Sequence, residues 1–240
     1  MRRLLPLLAL PLAAAAAPAA DRAAERELMA LTVANMAASS GAREARRLDP
    51  RVVAAMREVP RHLFVPEEIE PYAYRNTALP IGHEQTISQP YIVALMTHLL
   101  QVEPGHRVLE VGTGSGYQAA VLAQLGAKVH SIEIVEPLAR EAAERVKALG
   151  YSAVSVRAGD GYAGWPDAAP FDRIIVTAGA PHIPRPLLDQ LKPGGRMVIP
   201  VAAADGDGEE LMLVGKDKRG KVRQRSIIPV RFVPLVRARS

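Results

Sequence analysis

The chain of 240 residues contains no cysteine. That excludes disulfide bonds, thiolate metal centres and a cysteine nucleophile. Its six histidines are scattered and include no His-Glu-x-x-His pair, so they give no support to a metal site. No internal repeat occurs, and with it go the solenoids and propellers. Near the start, the apolar stretch over residues 4–12 is interrupted by Pro6 and Pro11 and is too short for a convincing membrane-spanning helix.

What is present is enough for one good core, since 49% of the residues are hydrophobic. The formal net charge is +5, but its distribution matters more. From Lys216 to Ser240 nine Lys and Arg stand against Asp217 alone, an excess of eight that exceeds the charge of the whole chain. The remainder is slightly acidic. Because the basic residues alternate, as in Lys221-Val222-Arg223-Gln224-Arg225, they read as the solvent face of a strand. Binding of nucleic acid or another anionic surface is the other reading. Residues 1–20 carry Arg2-Arg3, then a short apolar region, then an alanine-rich tract before Asp21. These are the features of a secretory signal peptide, with a disordered leader or an overextended start as the alternative.

Apolar spacing predicts helices over residues 28–37 and 52–59, the second signalled by Asp49 and Pro50. Residues 61–76 show no clear period and read as an irregular connection. Further on, Pro90 takes the favoured first position of an apolar helix over 92–100. Ser88 then lies just before a helix start, either as an anion contact or as a helix cap.

The centre of the chain is residues 107–116, Arg-Val-Leu-Glu-Val-Gly-Thr-Gly-Ser-Gly. A strand ends in a glycine turn, and a helix over 117–125 follows. Glycine has no Cβ, so a ligand can approach such a turn closely. A dinucleotide loop would need a small residue where Tyr117 stands, and a phosphate loop would need Lys-Ser/Thr, so pyrophosphate is a poor fit. Strands follow at 128–134, 153–158, 171–177 and 196–201, with helices at 137–149 and 187–191 and a turn at 192–195. Residues 211–214 and 222–236 complete the sheet as a hairpin, with Pro229 and Pro234 marking an edge or boundary. This alternation predicts a doubly wound, mostly parallel α/β sheet. Such sheets bind ligands beyond the carboxyl ends of their strands, where Glu110, Glu133 and Asp160 fall. A carboxylate at Glu133 suits a pair of ribose hydroxyls, and Asp160 can accept from an adenine amino group.

Glu110-x-Gly112-x-Gly114-x-Gly116 resembles motif I of the S-adenosylmethionine methyltransferases. With residues 61–66, 79–82, 85–91, 108–118, 159–161 and 171–177, the chain from about 28 to 236 resembles the protein-L-isoaspartate O-methyltransferases. The Thr86-Ile87-Ser88-Gln89-Pro90 block separates that family from other class I methyltransferases. The resemblance implies a Rossmann-like class I methyltransferase fold with an N-terminal helical extension and a C-terminal antiparallel hairpin. With the leader (1–20), which is atypical of the family, set apart, the chain divides into N-terminal helices and substrate-binding segment (21–100) and an S-adenosylmethionine-binding core with the C-terminal hairpin (101–240). The implied reaction is methyl esterification of the free α-carboxylate of L-isoaspartyl residues in damaged proteins and peptides. Ser88 matches the active-site residue, with Thr86, Ile87 and Ser88 at the acceptor. Gln89, Pro90, Tyr91, Glu110, Gly112, Gly114 and Gly116 match the cofactor side, Glu133 the ribose acid, and Asp160 and Gly161 the adenine side. No metal, no stable nucleic-acid partner and no membrane association after leader removal are expected, and a monomer is expected. The family default is cytoplasmic, whereas the leader argues for export to the periplasm. Glu84 departs from the family pattern, which commonly has glycine there. The rival readings are a methyltransferase redirected to RNA or a small molecule, and a non-catalytic cofactor-binding module.

Overall fold

The computed structural model describes residues 21–204 and 206–237; the leader over residues 1–20 lies outside the described residues. Two helices come first, α1 (Ala23–Ala38) and α2 (Pro50–Glu58). α2 starts where Asp49 and Pro50 signal it. The Asp49 carboxylate accepts from the Arg51 amide at 2.8 Å, and Pro50 lacks an N–H that would have gone unpaired there. Residues 61–64 and 67–72 form short 3-10 turns, in keeping with their absent period. A hairpin follows, β1 (Leu79–Gly82) and β2 (Gln85–Ile87). Its turn is strained: Gly82, His83 and Glu84 have φ of +86°, +50° and +57°, and only the first is glycine.

α3 (Pro90–Leu100) is apolar on most sides because it is enclosed, with α1 and α2 on one side and the central sheet on the other. Strands and helices then alternate as β3 (Arg107–Val111), α4 (Tyr117–Gln124), β4 (Lys128–Glu133), α5 (Glu136–Ala148), β5 (Val154–Ala158), β6 (Phe171–Val176), α6 (Arg185–Gln190) and β7 (Leu191–Ala202). The hairpin β8 (Glu209–Lys216) and β9 (Val222–Val230) closes the sequence of elements. The seven-stranded sheet has the order β5-β4-β3-β6-β7-β8-β9, parallel through β7 and antiparallel beyond it. The expected doubly wound sheet, helical extension and terminal hairpin are all present.

Alternation along the strands divides the core into two faces. Val108, Ile175 and Val198 pack into the cluster that holds Met29, Val52 and Leu95, whereas Leu109, Ile174 and Met197 pack on the opposite side with Leu187 of α6. The helical segment and the sheet therefore share a core. Strand order reverses between β3 and β6, which leaves a crevice beyond their carboxyl ends.

Two boundaries differ from the sequence pattern. The turn at 192–195 sits inside β7: Leu191 pairs with Phe171 and Arg196 with Arg173, so the residues between are looped out, helped by a φ of +82° at Gly194. The final strand stops at Val230 instead of running to 236. Beyond it the chain crosses to Gly179, whose amide donates to the Val233 carbonyl at 2.8 Å and whose carbonyl accepts from the Leu235 amide at 2.7 Å. Pro234, between them, has no N–H with which to continue a strand. Arg223 and Arg225 are exposed on β9, the edge of the sheet.

Replacing Glu84 by glycine removes one strained side chain from the hairpin turn. It should raise stability by about 1 kcal/mol, seen as a higher urea midpoint with an unchanged slope. A lower midpoint would mean that the Glu84 side chain stabilises the hairpin more than its backbone costs.

Candidate active site

β3 runs into the glycine turn beside Thr177, the residue after β6. The Gly112 amide donates to the Ile132 carbonyl at 2.8 Å, and the Thr177 hydroxyl donates to the Gly112 carbonyl at 2.6 Å. A Cβ on Gly112 would stand 2.4 Å from that hydroxyl oxygen, and one on Gly161 would stand 2.4 Å from Val111 Cγ1. Neither position tolerates a side chain without movement of its neighbours. Gly114 and Gly116 also have positive φ, but they serve different purposes. Gly114 lines the pocket, whereas Gly116 starts α4 in close contact with Val146 of α5.

Neighbouring side chains hold the turn. Glu133, the last residue of β4, accepts from the Gly114 amide at 2.8 Å and from the Val135 amide at 3.0 Å. Arg145 of α5 donates to the Ser115 carbonyl at 3.0 Å. Glu110 lies behind the turn, fully buried, and accepts from the Ser131 hydroxyl, which is 2.6 Å from the Thr113 hydroxyl. Its second carboxylate oxygen is buried without a hydrogen-bond partner. Burial pushes the Glu110 carboxyl up to about 8, opposed by the Ser131 hydrogen bond and assisted by the charge of Glu133.

A pocket of about 70 Å³ opens over the turn. Residues 85–88 form one wall, Glu133 and Gly161 lie along it, and residues 233–236 form another wall. A groove of about 580 Å³ adjoins it and shares Thr86, Ser88, Thr177 and Val233. Arg231 lines this groove and reaches Asp207 at 3.7 Å.

Of the residues singled out in the sequence, Thr86, Ile87, Ser88, Gly112, Gly114, Glu133 and Gly161 meet at the pocket. Gln89 lies in the groove wall with its amide on the Asn76 carbonyl at 3.0 Å, and Pro90 and Tyr91 begin α3. Asp160 turns back on its own loop and accepts from the Tyr162 amide at 2.8 Å. Ser88 does not cap α3; Gln89 occupies that position without a side-chain bond, and the Ser88 carbonyl accepts from Arg61 at 2.8 Å. Sequence reading misses Thr113, Thr177, Arg61 and residues 233–236. Pro234 is the available signal for the last of these, since it breaks the expected strand. Among the described residues, no group of three or more His, Asp or Glu could hold a metal ion.

The Glu110 carboxyl makes stability depend on pH in a definite direction. Its ordinary value is 4.5, and it rises to about 8 in the folded protein. As pH climbs between these values the unfolded chain loses the proton while the folded chain retains it, so the folded state is progressively disfavoured. Urea midpoints measured from about pH 5 to 8 should fall in the parent protein relative to Glu110→Gln, which keeps a hydrogen-bonding group but does not titrate. Parallel profiles would refute a buried neutral carboxyl.

Residues 40–240 match the family described as Protein-L-isoaspartate(D-aspartate) O-methyltransferase. A Cupriavidus necator protein named Protein-L-isoaspartate O-methyltransferase 1 is 55% identical over 241 residues, which cover 98% of this chain and 93% of that protein. A Polaromonas protein named Protein-L-isoaspartate O-methyltransferase 2 is 63% identical over 188 residues, covering 78% of this chain and 89% of its own. A solved protein-L-isoaspartate O-methyltransferase structure superposes with a TM-score of 0.77 at 28% identity, over 87% of this chain and 65% of that longer one. A Plasmodium falciparum chain described as a β-aspartate methyltransferase, solved with S-adenosyl-L-homocysteine, gives a TM-score of 0.68 at 26% identity over 79% of this chain and 92% of its own. The family match over residues 40–240 takes in Ser88, the glycine turn and residues 233–236, and the chain belongs to the protein-L-isoaspartate(D-aspartate) O-methyltransferase family.

Proposed function

We propose that the pocket over the glycine turn takes S-adenosylmethionine, that the adjoining groove takes the acceptor chain, and that Ser88 works where they meet. The activity is that of the family: methyl transfer from S-adenosylmethionine to isoaspartyl residues of damaged proteins, as the first step of repair. The observation that carries the assignment of the site is that Thr86 and Ser88 line both cavities. The residues suit the cofactor, while the free space of about 70 Å³ is a fraction of what a ligand of that size fills, so part of the lining has to move to admit it. Bare backbone at Gly112 and Gly161 permits close approach, and Glu133 has acceptor capacity beyond its two main-chain bonds for ribose hydroxyls.

When bound, S-adenosylmethionine supplies a methyl group activated on a sulfonium. The work left to the chain is positioning. An acceptor carboxylate is already ionised at neutral pH, so no general base has to remove a proton from it. The Ser88 hydroxyl donates a hydrogen bond that orients the carboxylate, with Thr86 in support. Residues 233–236 keep water from the reacting atoms, which strengthens that hydrogen bond. A monomer acting without nucleic acid is part of the proposal.

The test is methyl transfer from labelled S-adenosylmethionine to two matched peptides, one with L-isoaspartate and one with aspartate. Base-labile labelling of the isoaspartyl peptide alone is expected. Ser88→Ala should lower kcat/KM on the order of 10²-fold while leaving the dissociation constant of S-adenosylhomocysteine unchanged. Full activity in that variant removes Ser88 from the mechanism. The compartment follows cofactor supply and is proposed as the cytoplasm. Export is the second reading, favoured by residues 1–20, into which the Cupriavidus alignment extends, since it covers 98% of the chain. A mature N-terminus near Asp21 in a periplasmic fraction would decide for export.

A further inference from the structure

Arg61 is 0% exposed and lies behind the Ser88 turn. Its Nε donates to the Ala73 carbonyl at 2.8 Å and its Nη2 to the Ser88 carbonyl at 2.8 Å, while Nη1 is buried without a hydrogen bond. The guanidinium carbon lies 4.8 Å from the centre of the Tyr117 ring. No carboxylate among the described residues pairs with it. Tyr117 cannot serve as one, because burial pushes its phenol up to about 12. Burial also lowers Arg61 to about 10, which leaves it charged at neutral pH. A buried cation without a counter-charge is costly, and two carbonyl contacts alone could be made by a neutral amide. The charge has a use in its location: Ser88 lines both cavities, and Tyr117 lines the pocket over the glycine turn.

We propose that Arg61 acts on both ligands through its charge, drawing the acceptor carboxylate toward Ser88 and opposing the sulfonium of the methyl donor. In the reaction a carboxylate oxygen bonds the methyl carbon, the C–S bond breaks, and its electron pair stays on sulfur. One negative and one positive charge disappear together. A nearby cation therefore favours acceptor binding and disfavours the charged donor, and the second effect ends once sulfur is neutral. Arg61 is a positioning residue, since it reaches the ligands only through Ser88 and Tyr117. The acceptor half of the proposal rests on the function given above; the donor half does not depend on which acceptor is used.

Calorimetry on Arg61→Gln and Arg61→Lys tests this with S-adenosylmethionine and S-adenosylhomocysteine, which differ by a methyl group and one positive charge. Arg61→Gln should lower the ratio of their dissociation constants, donor over product, by about three- to tenfold and raise KM for an isoaspartyl peptide on the order of tenfold. Arg61→Lys, compared with the parent at about pH 6 so that a buried ammonium keeps its proton, retains the charge without the fork of hydrogen bonds and should hold the cofactor ratio within about twofold of the parent. Equal weakening of both cofactor affinities, with their ratio unchanged, is the result of a merely structural role and overturns the proposal. Should Arg61→Gln fail to fold, the parent protein still decides. A buried charge is poorly screened, so the ratio should stay within about twofold between roughly 0.05 and 0.5 M salt. A ratio that moves steadily toward unity with salt assigns the discrimination to exposed charges and overturns it. If the parent protein methylates no isoaspartyl peptide, the acceptor assignment fails, and the cofactor ratio still reports on Arg61.

Discussion

A turn in which three of five residues are glycine has few side chains with which to hold its own shape, so most of that shape must be imposed from outside. Most of this task falls to one strand. Ser131 and Glu133 are two residues apart on β4 and so project from the same face. Glu133 takes the Gly114 amide, and Ser131 joins Thr113 of the turn to Glu110 on β3. The parallel register sets Glu110 directly opposite Ser131, which is what makes this connection possible. The turn is thereby fixed to the sheet before any ligand arrives, and a ligand that depends on its backbone meets a prepared surface.

The two ligand-facing loops are also tied from behind in a similar way. Arg61 holds the Ser88 carbonyl and Arg145 holds the Ser115 carbonyl. Burial lowers the pKa of both guanidinium groups, a sign that each is held where water solvates it poorly. Together with the buried Glu110 carboxyl and the strained turn at His83 and Glu84, they place several unfavourable local choices around one site. The rest of the fold offsets them with close-packed apolar layers on both faces of the sheet.

Much of the fold can be read from the sequence because the relevant signals are local. Asp49 and Pro50 start α2, the alternation of strands and helices gives the parallel sheet, and the glycines mark the turn. The missed features are contacts between distant segments. No local pattern distinguishes a buried Arg61 from a solvent-facing one, and its role depends on carbonyls at positions 73 and 88. Asp160 is legible from its place after a strand, but not the local bond that one of its carboxylate oxygens accepts from the Tyr162 amide, which leaves acceptor capacity for a ligand. The segment from 231 to 236 continues a β-like pattern up to Pro234, and its pairing with Gly179 draws it away from the sheet edge and toward the pocket.

That last pairing has a consequence for how the protein is assembled. The glycine turn and residues 233–236 belong to opposite halves of the chain, and contacts of such long sequence separation carry a large loop-closure cost during folding. β7, β8 and β9 lie between them in the chain, and the segment reaches Gly179 after leaving β9. A partly folded molecule with β3, β4 and β6 in place would own the glycine turn yet lack a wall of the pocket. With the cofactor placed as proposed over the glycine turn, its affinity is a property of the completed molecule, and its recovery during refolding should trail the return of the parallel sheet.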